Sequence, residues 1–539
     1  MILPDLRDYR ALRDAFRWQI PPRYNIAVDV CDRWAAIAPD RTAIIEVSQD
    51  WTVTPVSFGQ LRDASNRLAN ALRARGVQRG DRIAILLPQG RCVLTAHLAA
   101  YKLGAIAVPL AALFGIDALA YRLGDCGAKV LVTDAAGLAK TRQIAEPLPE
   151  LALTVSTDGA DGDALDWHAL LADASPDFAP VETGPDDPAL MIYTSGTTGN
   201  PKGALHGHRV LPGHLPGVQM PHEFMPQPGD LAWTPADWAW AGGLLNMLLP
   251  ALQFGVAVVA RPVMRFEPEE AFRLMADLGI RNAFVPPTAL RMLRSVERPR
   301  ERFALRLRTV AAAGEALGAE TLAWGREALG LTINEAYGQT ECNLVLASCA
   351  AIGVSRPGFI GKAVPGHDVA IIRRDGSLCE ADEQGEIAVR RPDPVMFLGY
   401  WRNPQATEDK FVGNWMKTGD QAVQDADGYI RFVGRDDDVI TSSGYRIGPG
   451  EIEDSLLRHE AVALAAVVGK PDPLRTEIVK AFVVLKEGRR GTPDLAAELQ
   501  AFVRRRLSAH EYPREIVFRD ELPMTTTGKI IRRLLRAEA

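Results

Sequence analysis

Residues 193–203 read YTSGTTGNPKG, and the reading of this stretch decides the rest of the chain. Three threonines, a serine and three glycines, closed by Pro201 and Lys202, suit neither a regular helix nor a strand. Glycines let backbone N–H groups approach an anion, the hydroxyls of Thr194, Ser195, Thr197 and Thr198 add donors, and Lys202 adds positive charge. Gly196 and Gly199 supply the freedom. The preceding ALMIYTS has the short apolar character of a buried parallel strand, so the loop is expected to leave a strand's carboxyl end, where nucleotide phosphates commonly sit. The familiar GxxxxGK[ST] phosphate loop is excluded by spacing, because Lys202 is followed by Gly203. A flexible Gly/Ser linker remains open on composition alone.

Working outward, apolar runs alternate with helical periodicity: TAIIEV, then SFGQLRDASNRLANALRARG, then RIAILLP, a helix near 91–103, and AIAVPL. The alternation resumes at GVAVVAR before PEEAFRLMADLG, at NAFVPP before TALRMLRSV, and at LRTVAAAG before ALGAETLAWGREALG. This predicts an α/β fold of layered subdomains with parallel strands. The acidic, Pro/Gly-punctuated stretch 157–187 reads as a connection between subdomains. From 366 to 434 short strands with turn residues predict a small β-rich subdomain. The carboxylates of Asp436, Asp437 and Asp438 then mark an exposed boundary. The expected division is a large N-terminal domain over 1–434, a hinge at 435–438, and a small mobile α+β C-terminal domain over 439–539.

A chain of 539 residues exceeds what one core usually supports. A net charge of −6 argues against nucleic acid as the main partner, so any anion site must be local. The six cysteines show neither paired metal spacing nor the density of a secreted disulfide scaffold, which predicts free thiols in a reducing cytoplasm. The N-terminus lacks a continuous apolar core and does not read as a secretory signal. The longest apolar stretch, 244–260, is interrupted by Asn246, Pro250 and Gln253 and predicts a buried helix followed by a buried strand rather than a membrane span.

Further motifs follow in order: AAAGEALGAE with Gly314, Glu315 and Ala316; NEAYGQTE over 334–341; MKTGD with Asp420; GRDDDVI with Arg435; SSGYRIGPGEIE; and PMTTTGKIIRR with Lys529. Taken with YTSGTTGNPKG, they cover most of the chain and resemble the superfamily of adenylate-forming enzymes, which includes acyl-CoA synthetases, luciferases and nonribosomal peptide adenylation domains. The resemblance implies ATP, Mg²⁺ and coenzyme A as cofactors and a small carboxylic acid as substrate. It places Gly314, Glu315, Ala316, Glu335, Ala336 and Tyr337 beside adenine and Asp420 and Arg435 on the ribose. Thr340 would bond the α-phosphate and Glu341 would bind Mg²⁺. Hard Mg²⁺ prefers one or two carboxylates plus phosphate oxygens, which suits a lone glutamate. Lys529 would serve adenylation, a compact ammonium reaching the oxygens where charge shifts in the transition state.

The same resemblance implies a second half-reaction, in which the small domain turns about Asp437 so that Lys529 withdraws. Gly444 then admits the pantetheine arm and Arg446 meets a CoA phosphate. Acetate-specific relatives close their acyl pocket with a bulky aromatic where this chain has Gly338, so a deeper pocket is expected. Trp240 would line it, whereas Trp238 reads equally well as a core aromatic. His206 and His208 read as structural. The wording fits medium-chain and aryl acyl-CoA synthetases best. A carrier-protein-loading ligase, a silent acyl-nucleotide-binding module and a light-emitting oxygenase stand as alternatives. The PMTTTGK context also resembles sites of reversible lysine acylation, which would make a lysine acyltransferase a partner acting on Lys529.

Overall fold

The structure, a computed structural model, describes residues 2–194, 200–262, 265–435, 438–442, 445–472, 475–507, 512–525 and 529–539. The α/β layering read from the sequence is present. In an eight-stranded sheet, Arg82–Leu86, Ile106–Pro109, Val130–Thr133, Leu153–Ser156 and Pro188–Thr194 run parallel. A nine-stranded sheet is built around Thr309–Ala313 and Asn334–Gln339, which pair in parallel with Ala313 opposite Ala336. Helices such as Phe58–Ala74 and Arg91–Lys102 cover these sheets, the first entered through a reciprocal Ser57–Gln60 capping box.

Three expectations need correction. The part of ALMIYTS up to Thr194, within the strand Pro188–Thr194, is parallel only to Ile106–Pro109; on its other side it pairs antiparallel with Lys202–Gly207. Its four consecutive buried residues report burial on both faces, which says nothing about a neighbour's direction. The glycine-rich stretch therefore joins two strands of a hairpin, with Thr194 opposite Lys202. The 157–187 connection contains a strand, Leu165–Asp166, and a helix, Trp167–Ala172, capped by Asp166, which accepts from His168 N–H at 2.7 Å. That strand completes the eight-stranded sheet. Within 244–260, the predicted helix is present but carries a π turn over Leu244–Leu248 before Leu249–Gln253, and the strand Val258–Ala260 follows.

The β-rich region holds a five-stranded sheet in which Trp415–Gln424 pairs with Gln384–Arg390 and with Ile430–Arg435. One of its segments leaves it: Gly399–Tyr400 pairs with Lys202–Gly207 at the edge of the eight-stranded sheet. Beyond residue 438 lies a separate five-stranded sheet with its own apolar cluster, including Ile452, Val467, Val483 and Leu499. Asp438 is not the solvated turn residue expected from its sequence. Its carboxylate pairs with Arg536 and lies 3.6 Å from Arg532, which also bonds Glu453 at 2.7 Å. Asp436 and Asp437 lie outside the described residues. No helix among the described residues is long and apolar enough to cross a membrane.

Candidate active site

Strand register gathers the site. Tyr400 stands opposite Ala204, which makes Lys202 its diagonal neighbour on the same face, and the Lys202 ammonium lies 5.1 Å from the Tyr400 ring centroid. The Tyr400 hydroxyl donates to Glu341 Oε1. Glu341 is buried, and its carbonyl accepts from Phe397 N–H at 2.8 Å. Thr194 and Lys202 face each other at the base of the hairpin, and Lys202 stands over the ring whose hydroxyl bonds the carboxylate expected to hold metal; Ser195, Gly196, Thr197, Thr198 and Gly199 lie outside the described residues.

A second register places Asp420 directly opposite Arg435 on paired antiparallel strands, with 3.6 Å between Arg435 Nη1 and Asp420 Oδ1. Tyr337, on Asn334–Gln339, donates its hydroxyl to Asp420 Oδ2 at 2.5 Å. Desolvation raises the Asp420 carboxyl above its usual range, opposed first by Arg435 and then by Tyr337, Lys410 and Lys529.

Lys529 comes from the far end of the chain and meets this cluster. Its ammonium lies 5.7 Å from the Trp240 ring centroid, and its Cε would be 3.7 Å from a Cβ placed on Gly314. Gly314 has φ +102°, and the Trp240 ring would sit 3.2 Å from that same Cβ, so glycine is required on both counts. Burial lowers the Lys529 pKa, while Glu315 and then Asp420 oppose the shift. Glu315 is itself anchored, accepting from Thr288 Oγ1 at 3.0 Å and from Arg291 at 2.7 Å. Ala316 follows at the exposed rim.

Glu335 stands apart from this chemistry. Desolvation pushes its carboxyl up to about 8, against a 3.3 Å bond from Leu317 N–H, and Asp454 of the C-terminal region adds to the rise. Asp454 is pushed up to about 6 by burial and by Glu453, opposed by Arg458 and Arg291. Arg458 lies 3.8 Å from Glu320, so ionic contacts line the boundary between the two lobes.

The acyl-side residues divide. Trp238 is buried in the core, while Trp240 is half-buried, 6.4 Å from the Phe284 ring. Gly338 has a packing reason independent of pocket depth. A Cβ there would lie 2.3 Å from Leu344 N and 2.5 Å from Asn343 Cα, in the irregular hairpin that Asn334–Gln339 makes with Cys342–Ala347. The inference from Gly338 to a deep pocket loses its basis. His206 and His208 are buried and pushed down to about 3 and about 4 by desolvation, and Ile26 N–H donates to His208 Nδ1 at 3.2 Å. Gly444, Asp437 and the side chain of Arg446 lie outside the described residues.

Sequence reasoning missed Tyr400, Lys410 and Arg291. Only their positions across strand pairs and helix faces connect them to the site, and no spacing in GYWRNP or ATEDKF marks them. No group of three or more metal-ligating side chains occurs among the described residues. A lone Glu341 with one oxygen engaged by Tyr400 fits an ion completed by phosphate oxygens rather than a protein cage.

The family model for AMP-binding enzymes matches residues 31–401, and that for the AMP-binding enzyme C-terminal domain matches residues 451–529. The chain belongs to the AMP-binding enzyme family. It is 34% identical over 523 residues to the acetyl-coenzyme A synthetase of Bacillus subtilis (strain 168), covering 96% of this chain and 90% of that protein. It is 35% identical over 548 residues to the human mitochondrial acyl-coenzyme A synthetase ACSM4, covering 98% and 93%. Among solved structures, the anthranilate CoA ligase AuaEII in complex with anthranoyl-AMP superimposes with a TM-score of 0.89 at 28% identity, covering 96% and 98%. Within the AMP-binding enzymes, this is an ATP-dependent, AMP-forming acid–thiol ligase of the acyl-CoA synthetase group, working with ATP, Mg²⁺ and coenzyme A.

Proposed function

We propose that this acyl-CoA synthetase activates a medium-chain, branched or aromatic monocarboxylate, forming acyl-AMP and pyrophosphate and then the acyl-CoA thioester. The observation that carries the reading is the meeting of Lys529 with Trp240, Gly314 and the Asp420 pair, which joins a lysine from the small lobe to a surface of the large one. Asp420 and Arg435 hold the ribose and Tyr337 packs beside adenine. Thr194, Ser195, Thr197, Thr198 and Lys202 hold the phosphates, and Thr340 bonds the α-phosphate. Glu341 would hold Mg²⁺, which would supply neutralisation of charge on the phosphate oxygens. The substrate carboxylate attacks the α-phosphorus in line, the bond to pyrophosphate breaks, and Lys529 stabilises the charge that develops between carboxylate and phosphate. Trp240 forms one wall for the acyl group. Gly444 and Arg446 then serve CoA after rotation at Asp437, in a molecule divided as 1–434, 435–438 and 439–539.

The reaction takes place in the cytoplasm, a reading supported by the six cysteines being free. A lysine acyltransferase acting on Lys529 would switch the first step off by removing its charge. A panel of C2–C12 and aromatic acids, assayed for pyrophosphate release with and without CoA, tests the reading. The expected result is acid-dependent release with a maximum among medium-chain or aromatic acids and CoA consumed in equal amount. A maximum at acetate, or release without thioester, would overturn it.

A further inference from the structure

The segment from Phe397 to Lys410 touches the Gln339–Glu341 turn at three points. Phe397 N–H donates to the Glu341 carbonyl at 2.8 Å, the Tyr400 hydroxyl donates to Glu341 Oε1, and the Lys410 ammonium donates to Gln339 Oε1 at 2.9 Å. These contacts flank Thr340 on both sides. The segment is itself anchored: Leu398 and Trp401 N–H groups donate to the carbonyls of Leu205 and Gly203, each at 2.7 Å, and Tyr400 N–H donates to Thr407 Oγ1 at 2.9 Å. Gln339 continues the chain of contacts by donating to the Thr418 carbonyl at 3.0 Å, two residues before Asp420. Lys410 also donates to the Lys417 carbonyl at 3.1 Å, so both of its acceptors are neutral.

We infer that Tyr400 and Lys410 are positioning residues, which together fix the Thr340–Glu341 turn against the phosphate hairpin and the Asp420 strand. A phenol on one carboxylate oxygen leaves the other oxygen of Glu341 available to an ion, the way outer partners orient metal ligands. Because the same ring lies under the Lys202 ammonium, it sets the spacing between metal ligand and phosphate-loop cation. Lys410 sets the other end by holding the Gln339 amide. An ammonium bonded to two neutral acceptors, with Glu341 and Asp420 opposing its desolvation, contributes field as well as geometry. The inference rests on the proposed roles of Thr340 and Glu341.

Calorimetric binding of a non-hydrolysable ATP analogue, with Mg²⁺ and with EDTA, tests it without requiring turnover. Tyr400→Phe keeps the ring and removes the hydroxyl. It should weaken binding about 10-fold with Mg²⁺ and leave binding in EDTA unchanged. Lys410→Met should act in the same direction, and Lys410→Arg should restore most of the loss. Combining Lys410→Met with Gln339→Leu should weaken binding by less than the sum of the two single effects, because the two side chains share one hydrogen bond. Equal weakening with and without Mg²⁺, or a lowered melting temperature with the Mg²⁺ dependence of wild type, would overturn the assignment. A wild-type protein that binds the analogue through Mg²⁺ yet activates no acid would instead refute the proposed function, leaving the positioning result readable.

Discussion

The two sides of the candidate active site are held in different ways. On the side proposed to hold metal and ribose, Tyr400, Glu341, Tyr337, Asp420 and Arg435 are fixed by sheet register and by hydrogen bonds within one lobe. On the other side, Lys529 arrives on a separate lobe that meets the first through contacts such as Arg458 with Glu320 and Asp454 against Gly318. A lattice of paired strands moves as a block, whereas a few ionic contacts at a lobe boundary are individually weak. If the proposed roles hold, this contrast makes nucleotide binding and acid activation separable by mutation.

The separation is broken most sharply at Lys529. Lys529→Ala should lower acid-dependent pyrophosphate exchange by about 10²–10³, the loss typical of one preorganised charge-stabilising donor, while Mg·ATP affinity changes little. Exchange rates set beside calorimetric affinities give both numbers.

A smaller effect distinguishes the two tryptophans. Trp240→Ala should change the kcat/KM ratio between a bulky and a short acid by about 10- to 200-fold, the range available to an apolar pocket. Trp238→Ala, in the core, should instead cost about 3–5 kcal/mol of stability and leave that ratio unaltered. Kinetics across the acid panel and denaturant melts separate the two.

A third effect concerns the lobe boundary. A carboxyl raised to about 8 in the folded protein penalises folding once pH exceeds its ordinary value of 4.5, and the penalty grows until about pH 8. Glu335→Gln removes it. The melting temperature of the variant, relative to wild type, should therefore rise progressively from pH 5 to pH 8.5. A pH-independent difference in thermal melts would show that Glu335 ionises freely.

The fold was legible where short apolar runs are bounded by polar residues, as in Thr42–Val47 and Arg82–Leu86, and where burial follows helical period, as in the amphipathic Phe58–Ala74. It was not legible where one residue serves two neighbours. The Pro188–Thr194 strand looks parallel from its composition and is half antiparallel, because an apolar run does not encode the direction of its partner. Among the site residues, Asp420, Arg435, Tyr337 and Lys529 were found through motif resemblance, and strand register brings the first two together. Tyr400 and Lys410 depend on contacts across about 60 and 70 residues of chain, which no local pattern contains. Gly338 shows the opposite failure: a pocket was read into a glycine that backbone crowding at Asn343 and Leu344 already requires.

Lys529 of the small lobe is proposed to serve acid activation and no later step. The direct measurement is thioester formation by Lys529→Ala from synthetic acyl-AMP and CoA, bypassing ATP. The rate from the preformed adenylate should stay near that of wild type, alongside near-complete loss from acid plus ATP. Equal loss by both routes would contradict it.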